Sequence, residues 1–166
     1  MIPNLVWTVL FLSPVAIFCY RFVNQQSIYI LLGISLIPAF FPNSFYDNIQ
    51  LSRNPKFYKR FGVQFINKFA QNGSLLNKYV RKKYPGLKSL PVNKLPGEKQ
   101  FSRTYFFEKF HFSMFIFFGA VTVYALVKDY LLWAFIISIC NLFYNIYPNL
   151  LQQYIRLRLS SVRKRS

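Results

Sequence analysis

One glutamate, Glu108, and the chain's single histidine, His111, stand three residues apart at the start of an apolar run. A second polar stretch lies at the end of the next apolar run, over Asn145 to Leu159, and reads N-I-Y-P-N-L-L-Q-Q-Y-I-R-L-R-L. Asn145, Gln152, Gln153, Tyr154, Arg156 and Arg158 gather there, where a membrane helix would be leaving lipid. A histidine at a membrane edge can act as a general base near neutral pH, and a carboxylate one turn away shares its helix face and can fix its tautomer. Two arginines can clamp a phosphate or carboxylate. A base and an anion clamp together suit transfer of an acyl or phosphorylated group to a hydroxyl. The plainer reading is also open. Glu108 and His111 can be a helix-surface pair, the arginines can hold the cytoplasmic face of a bilayer, and the amides can be interhelical glue.

These residues need helices to hold them, and composition says which kind. The chain has 166 residues, 54% of them hydrophobic and 20% aromatic, with 20 phenylalanines. That is more aromatic surface than a soluble core of this size hides, and lipid can accept it. The expected fold class is therefore all-α, a single membrane domain with four spans over about residues 3–21, 27–42, 109–127 and 130–152. Pro14 is expected to kink the first span. The second run is short enough to be a re-entrant hairpin, although a span is preferred. Lys128 and Asp129 make a tight turn, so the third and fourth runs form an antiparallel helical hairpin. That hairpin brings His111 and Arg156 to one membrane face.

Between the two pairs of spans lies a basic segment, residues 43–108, and a basic tail follows over 153–166. The polar middle carries 13 of the 21 lysines and arginines, and with the C-terminal segment the total reaches 18. Four spans place both segments and the N-terminus on one side, and the positive-inside rule makes that side cytoplasmic in a multi-pass protein of the cell membrane. Phe57, Phe61, Phe65 and Phe69 recur every fourth residue among basic residues, which predicts a helix able to lie on an anionic bilayer. Asn72-Gly73 reads as its stop, and Ser74 caps a further helix through Lys83. Pro85-Gly86, Pro91 and Pro96-Gly97 make turns.

The net charge of +17 is compatible with nucleic acid, but no zinc, helix-turn-helix or RNA-module pattern accompanies it. Cys19 and Cys140 both lie in apolar runs and read as small apolar filler, neither a disulfide framework nor a metal pair. No G-x-S-x-G, P-loop or H-E-x-x-H occurs.

The segment Asn145, Tyr147, Pro148, Leu151, Gln152, Tyr154, Arg156, Arg158 and Leu159 resembles the C-terminal motif of the glycosyl-4,4'-diaponeurosporenoate acyltransferase family. That family acts last in staphyloxanthin-type carotenoid biosynthesis, and its Glu-x-x-His pair is matched by Glu108 and His111. At the motif's centre Gln153 stands for the family's arginine and Ile155 for its asparagine. The resemblance implies transfer of a fatty acyl group, from an acyl thioester with no bound cofactor or metal, to a sugar hydroxyl of a glycosylated carotenoid or similar glycolipid. On that implication His111 is the base and Glu108 orients it. Arg156 and Arg158 bind the donor's anionic part, Asn145 and Gln152 hydrogen-bond the sugar or the oxyanion, and Tyr154 completes the substrate-binding set. The expected partners are membrane lipid and a glycolipid-like acceptor. The alternative function is a non-catalytic membrane subunit that holds anionic lipid or a partner protein on its basic cytoplasmic face.

Overall fold

Long uncharged runs with few helix breakers dictate helices. The computed structural model describes residues 2–63 and 97–163, and all regular structure among them is helical. Helix α1 spans Ile2–Phe22, and α2 spans Gln25–Leu36 and ends in a 3-10 turn over Ile37–Phe40. Two short helices follow, α3 at Asn43–Asn48 and α4 at Pro55–Arg60. Helix α5 runs unbroken over Gly97–Val127. Helix α6, Leu131–Asn141, passes through a π-turn at Leu142–Ile146 into α7, Tyr147–Arg163. Local chemistry sets the starts. The Asn24 side chain accepts from Ser27 N at 2.8 Å to cap α2, and Asn54 accepts from Lys56 N at 2.9 Å to cap α4.

The turn between α5 and α6 closes as a Schellman motif. Tyr130 N donates to Ala125 O at 2.8 Å and Asp129 N to Leu126 O at 3.1 Å, with Asp129 at φ 59°. Aspartate is among the few non-glycine residues that visit this left-handed region readily. Helix α5 then packs along both α6 and α7 and against α2, while α1 packs on α6 and α4 on α7. The main core joins α1, α5 and α6 through Val15, Phe18, Phe118, Val121, Ala125 and Ile137. Both cysteines are free and buried beside them. A second cluster, Tyr58, Val63, Leu150, Leu151 and Tyr154, docks α4 on α7.

Several expectations need correction. Two helices, Glu98–Val127 and Leu131–Ser161, are long and apolar enough to cross a membrane, and the N-terminal pair contributes the shorter apolar helices Val6–Phe22 and Gln25–Phe40. Four spans are therefore not established. The last part of the basic middle segment, residues 97–108, is helical and continuous with the third apolar run. The tail is likewise helical as far as Arg163. Pro14 sits inside an uninterrupted helix. The helix expected from Phe57 onward stops at Arg60, since Gly62 takes φ +69°, a conformation that ends helices and costs glycine little. Phe65, Phe69, the expected helix from Ser74 to Lys83, the proline turns before residue 97 and the last three residues lie outside the described residues.

The outer face of α6 is apolar, with Leu132 71% and Phe135 64% exposed. An apolar face of this kind is costly in water and suits lipid. Buried at the centre, Phe118 stacks on Tyr144 at 6.1 Å between ring centroids. Phe118→Ala should therefore cost about 3–5 kcal/mol of stability, read as a lowered unfolding midpoint in detergent micelles.

Candidate functional site

Two polar clusters lie between α5 and the α6–α7 rod. The first is closed. Glu108 is 1% exposed and Arg156 3%, and a buried charge must be paired and hydrogen-bonded to be tolerated. Arg156 Nη1 pairs with Glu108 Oε2, and Gln153 Nε2 donates to Glu108 Oε1 at 2.9 Å. The other arginine nitrogens turn to α3 and the turn after it. Nη2 donates to Gln50 Oε1 at 3.1 Å and to the Tyr46 carbonyl at 3.3 Å, and Nε lies 3.3 Å from Asp47 Oδ1. The guanidinium stands 4.5 Å from the centroid of the Tyr105 ring, and the Tyr105 hydroxyl donates to Asp47 at 2.7 Å. Cation–π contact and two carboxylates thus surround one arginine.

Gln153 extends the cluster to α4. Its Oε1 lies 3.0 Å from the Tyr58 hydroxyl and accepts from Leu51 N at 3.3 Å. Tyr58 is fully buried, and its hydroxyl also meets the Ser52 carbonyl at 2.9 Å and accepts from Ser52 N. Tyr46 donates to the Pro38 carbonyl at 2.6 Å. Burial, with a contribution from the Glu108 charge, pushes the Tyr46 phenol up to about 12, so it stays a donor at any physiological pH.

The second cluster is open. Asn141 Nδ2 donates to the Phe115 carbonyl at 3.1 Å, and Asn145 Nδ2 donates to Asn141 Oδ1 at 2.9 Å. His111 lies beside the Asn145 side chain and the Tyr144 backbone. Its ring meets Tyr144 edge-on at 5.8 Å and Phe110 at 5.1 Å. His111 Nδ1, Asn145 Oδ1 and Asn149 Oδ1 are buried without a partner in hydrogen-bonding geometry. Asn141, Asn145, Asn149 and Gln153 recur every fourth residue, so they form one stripe facing α5. Its upper end serves His111 and its lower end Glu108.

The expected residues therefore divide. Glu108 and Arg156 meet, and His111 and Asn145 meet. Glu108 makes no hydrogen bond to His111; its two oxygens accept from Gln153 and Arg156. Arg156 is not a free anion clamp, because it is enclosed by its own partners. Arg158 is exposed, with its guanidinium 5.9 Å from the Tyr154 ring, and residues two apart on a helix face different ways. Tyr154 is buried in the α4–α7 contact, and Gln152 is half-buried outside both clusters. Sequence reasoning placed Gln153 in the polar stretch without giving it a role, and it missed Asp47, Gln50, Tyr58 and Tyr105. The four-residue stripe ending at Gln153 was the available signal for that role. Among the described residues no group of three or more His, Cys, Asp or Glu side chains gathers to hold a metal ion.

Removing one partner of the closed cluster leaves the other charge buried. Glu108→Ala should cost about 3–5 kcal/mol. The double variant Glu108→Gln/Arg156→Met should recover most of that loss, as read by denaturant unfolding of each protein in the same detergent.

No curated protein and no solved structure matches the chain significantly. A family match does exist, and it covers residues 42–165, which include α3 to α7 and both polar clusters. It leaves out α1 and all of α2 with its 3-10 turn. By that match the chain belongs to the family described as glycosyl-4,4'-diaponeurosporenoate acyltransferase.

Proposed function

We propose that this protein transfers a fatty acyl group from an acyl thioester to a sugar hydroxyl of a glycosylated carotenoid acid or similar glycolipid at the bilayer edge. The observation that carries the reading is that the family match covers the helical hairpin on which the single histidine faces a stripe of buried amides. His111 takes the proton of the sugar hydroxyl, whose oxygen attacks the thioester carbonyl. A C–O ester bond forms, the C–S bond breaks, and the proton passes from the imidazolium to the leaving thiolate. The free carboxamide oxygen of Asn149 accepts hydrogen bonds from the sugar, with Gln152 beside it on the same helix. Arg158 meets the anionic part of the donor. Glu108 and Arg156 act at a distance from the reaction, by fixing the helices that hold these groups.

In this reading the protein is multi-pass in the cell membrane, with both termini and the basic segments cytoplasmic. The charge distribution along the chain supports that orientation. One observation favours the second function, a non-catalytic subunit that holds anionic lipid or a partner protein. Lys56, Lys59 and Arg60 on α4 are exposed next to the exposed Phe61.

One variant separates the two. In membranes supplied with a glycosylated 4,4'-diaponeurosporenoate and a long-chain acyl thioester, His111→Ala should lower acyl transfer by about 10²–10⁴-fold. Unchanged transfer would remove the histidine mechanism, and no transfer by the parent chain would favour the subunit reading.

A further inference from the structure

We infer that Asn145 sets the tautomer of His111, holding the proton on Nδ1 and leaving Nε2 as the basic nitrogen. The Phe115 carbonyl can only accept a hydrogen bond. Asn141 reaches it through Nδ2 at 3.1 Å, so the Asn141 carboxamide oxygen points the other way. That oxygen in turn needs a donor, and Asn145 supplies Nδ2 at 2.9 Å. The orientation of Asn145 is thereby fixed by two linked bonds that start from backbone. Its remaining polar atom is an oxygen, completely buried and without a partner in hydrogen-bonding geometry.

A second acceptor stands beside it. Pro148 has no N–H to give the carbonyl four residues back, which is that of Tyr144. The π-turn over Leu142–Ile146 re-spaces the backbone there, and the Tyr144 backbone faces the imidazole. His111 Nδ1 is buried and also lacks a partner. Nδ1 is the buried ring nitrogen, and a lone pair on it would give these two oxygens no donor. An N–H on Nδ1 instead offers both of them a donor.

The ring is held edge-on to Tyr144 and Phe110. Tyr144 is itself stacked on Phe118, and its hydroxyl lies 3.3 Å from Thr8 Oγ1 on α1. These contacts limit rotation of the imidazole away from the two oxygens. Asn145 is thus a positioning residue, acting through His111 and not on the sugar. This placement rests on the base reading of His111 for its catalytic meaning only, since the tautomer is a property of the resting protein.

The test uses the fact that the chain has one histidine. The full chain is labelled with ¹⁵N-histidine, purified through a histidine-free tag in detergent micelles, and its two ring nitrogens are read by NMR at a pH where the ring is neutral. Nδ1 should appear at the protonated, pyrrole-type shift and Nε2 at the unprotonated, pyridine-type shift. Asn145→Leu should move the pattern toward protonated Nε2, and Asn145→Asp, which keeps an acceptor oxygen, should keep Nδ1 protonated. A wild-type protein with the proton on Nε2 would overturn the inference, as would an Asn145→Leu protein with an unchanged pattern. The wild-type spectrum and Asn145→Asp decide the matter even if Asn145→Leu fails to fold. Loss of the histidine mechanism, through an active His111→Ala enzyme, or of the acyl-transfer reading, through an inactive parent chain, leaves these spectra unaffected.

Discussion

The buried pair of Glu108 and Arg156 is the constraint on which the rest of the structure depends. Taking two charges out of water costs several kcal/mol per ion, and their attraction offsets this only with good geometry and further hydrogen bonds. The chain supplies those bonds from three separate places. Gln153 comes from α7, Asp47 with Gln50 and the Tyr46 carbonyl from α3 and the turn beyond it, and Tyr105 from α5. Meeting the needs of one arginine therefore folds the segment after α2 back onto the hairpin. The same Gln153 holds Tyr58, so α4 is fixed by the same network. Lys109 adds a further tie from α5 by donating to the Phe41 carbonyl at 2.6 Å.

A division of labour follows. Around Glu108 the strong donors and acceptors are satisfied internally except Arg156 Nε, which has only its ion-pair contact with Asp47, and this suits a structural joint. Around His111 the amides are aligned but three buried polar atoms remain without partners. Native interiors leave few such groups, and those they leave call for an explanation in a bound water or ion, in strain or in function. The π-turn and Pro148 link the two regions. A proline in a helix interior normally breaks the ladder. Here it follows directly on the π-turn, and the rod continues through it to Arg163.

Much of this was legible in the sequence, because polar groups are rare in apolar runs and costly in lipid. Glu108, His111, Asn145 and Arg156 stand out on that ground alone, and the tight turn at Lys128 and Asp129 is enough to bring them together. The family assignment is also carried by the polar C-terminal stretch and the Glu–His pair. What was not legible depends on register. Regular α-helical spacing from Asn145 allows both Gln152 and Gln153, and only the packing of the helix shows that Gln153 is the one that meets Glu108. The closed cluster was hidden because its partners come from residues 46 to 58, and no local pattern says that this segment returns to α7. That the two arginines part company follows from helix geometry, since a helix sends residues two apart in different directions.

The central claim is that the Glu108–Arg156 pair builds the site while His111 does the chemistry. The most direct measurement is the rate of acyl transfer by the Glu108→Gln/Arg156→Met double variant in membranes, normalised to folded protein. The account predicts a rate within about tenfold of the parent, a change of about 1.4 kcal/mol in the barrier. A loss as large as that expected for His111→Ala, in protein that is still folded, would contradict it.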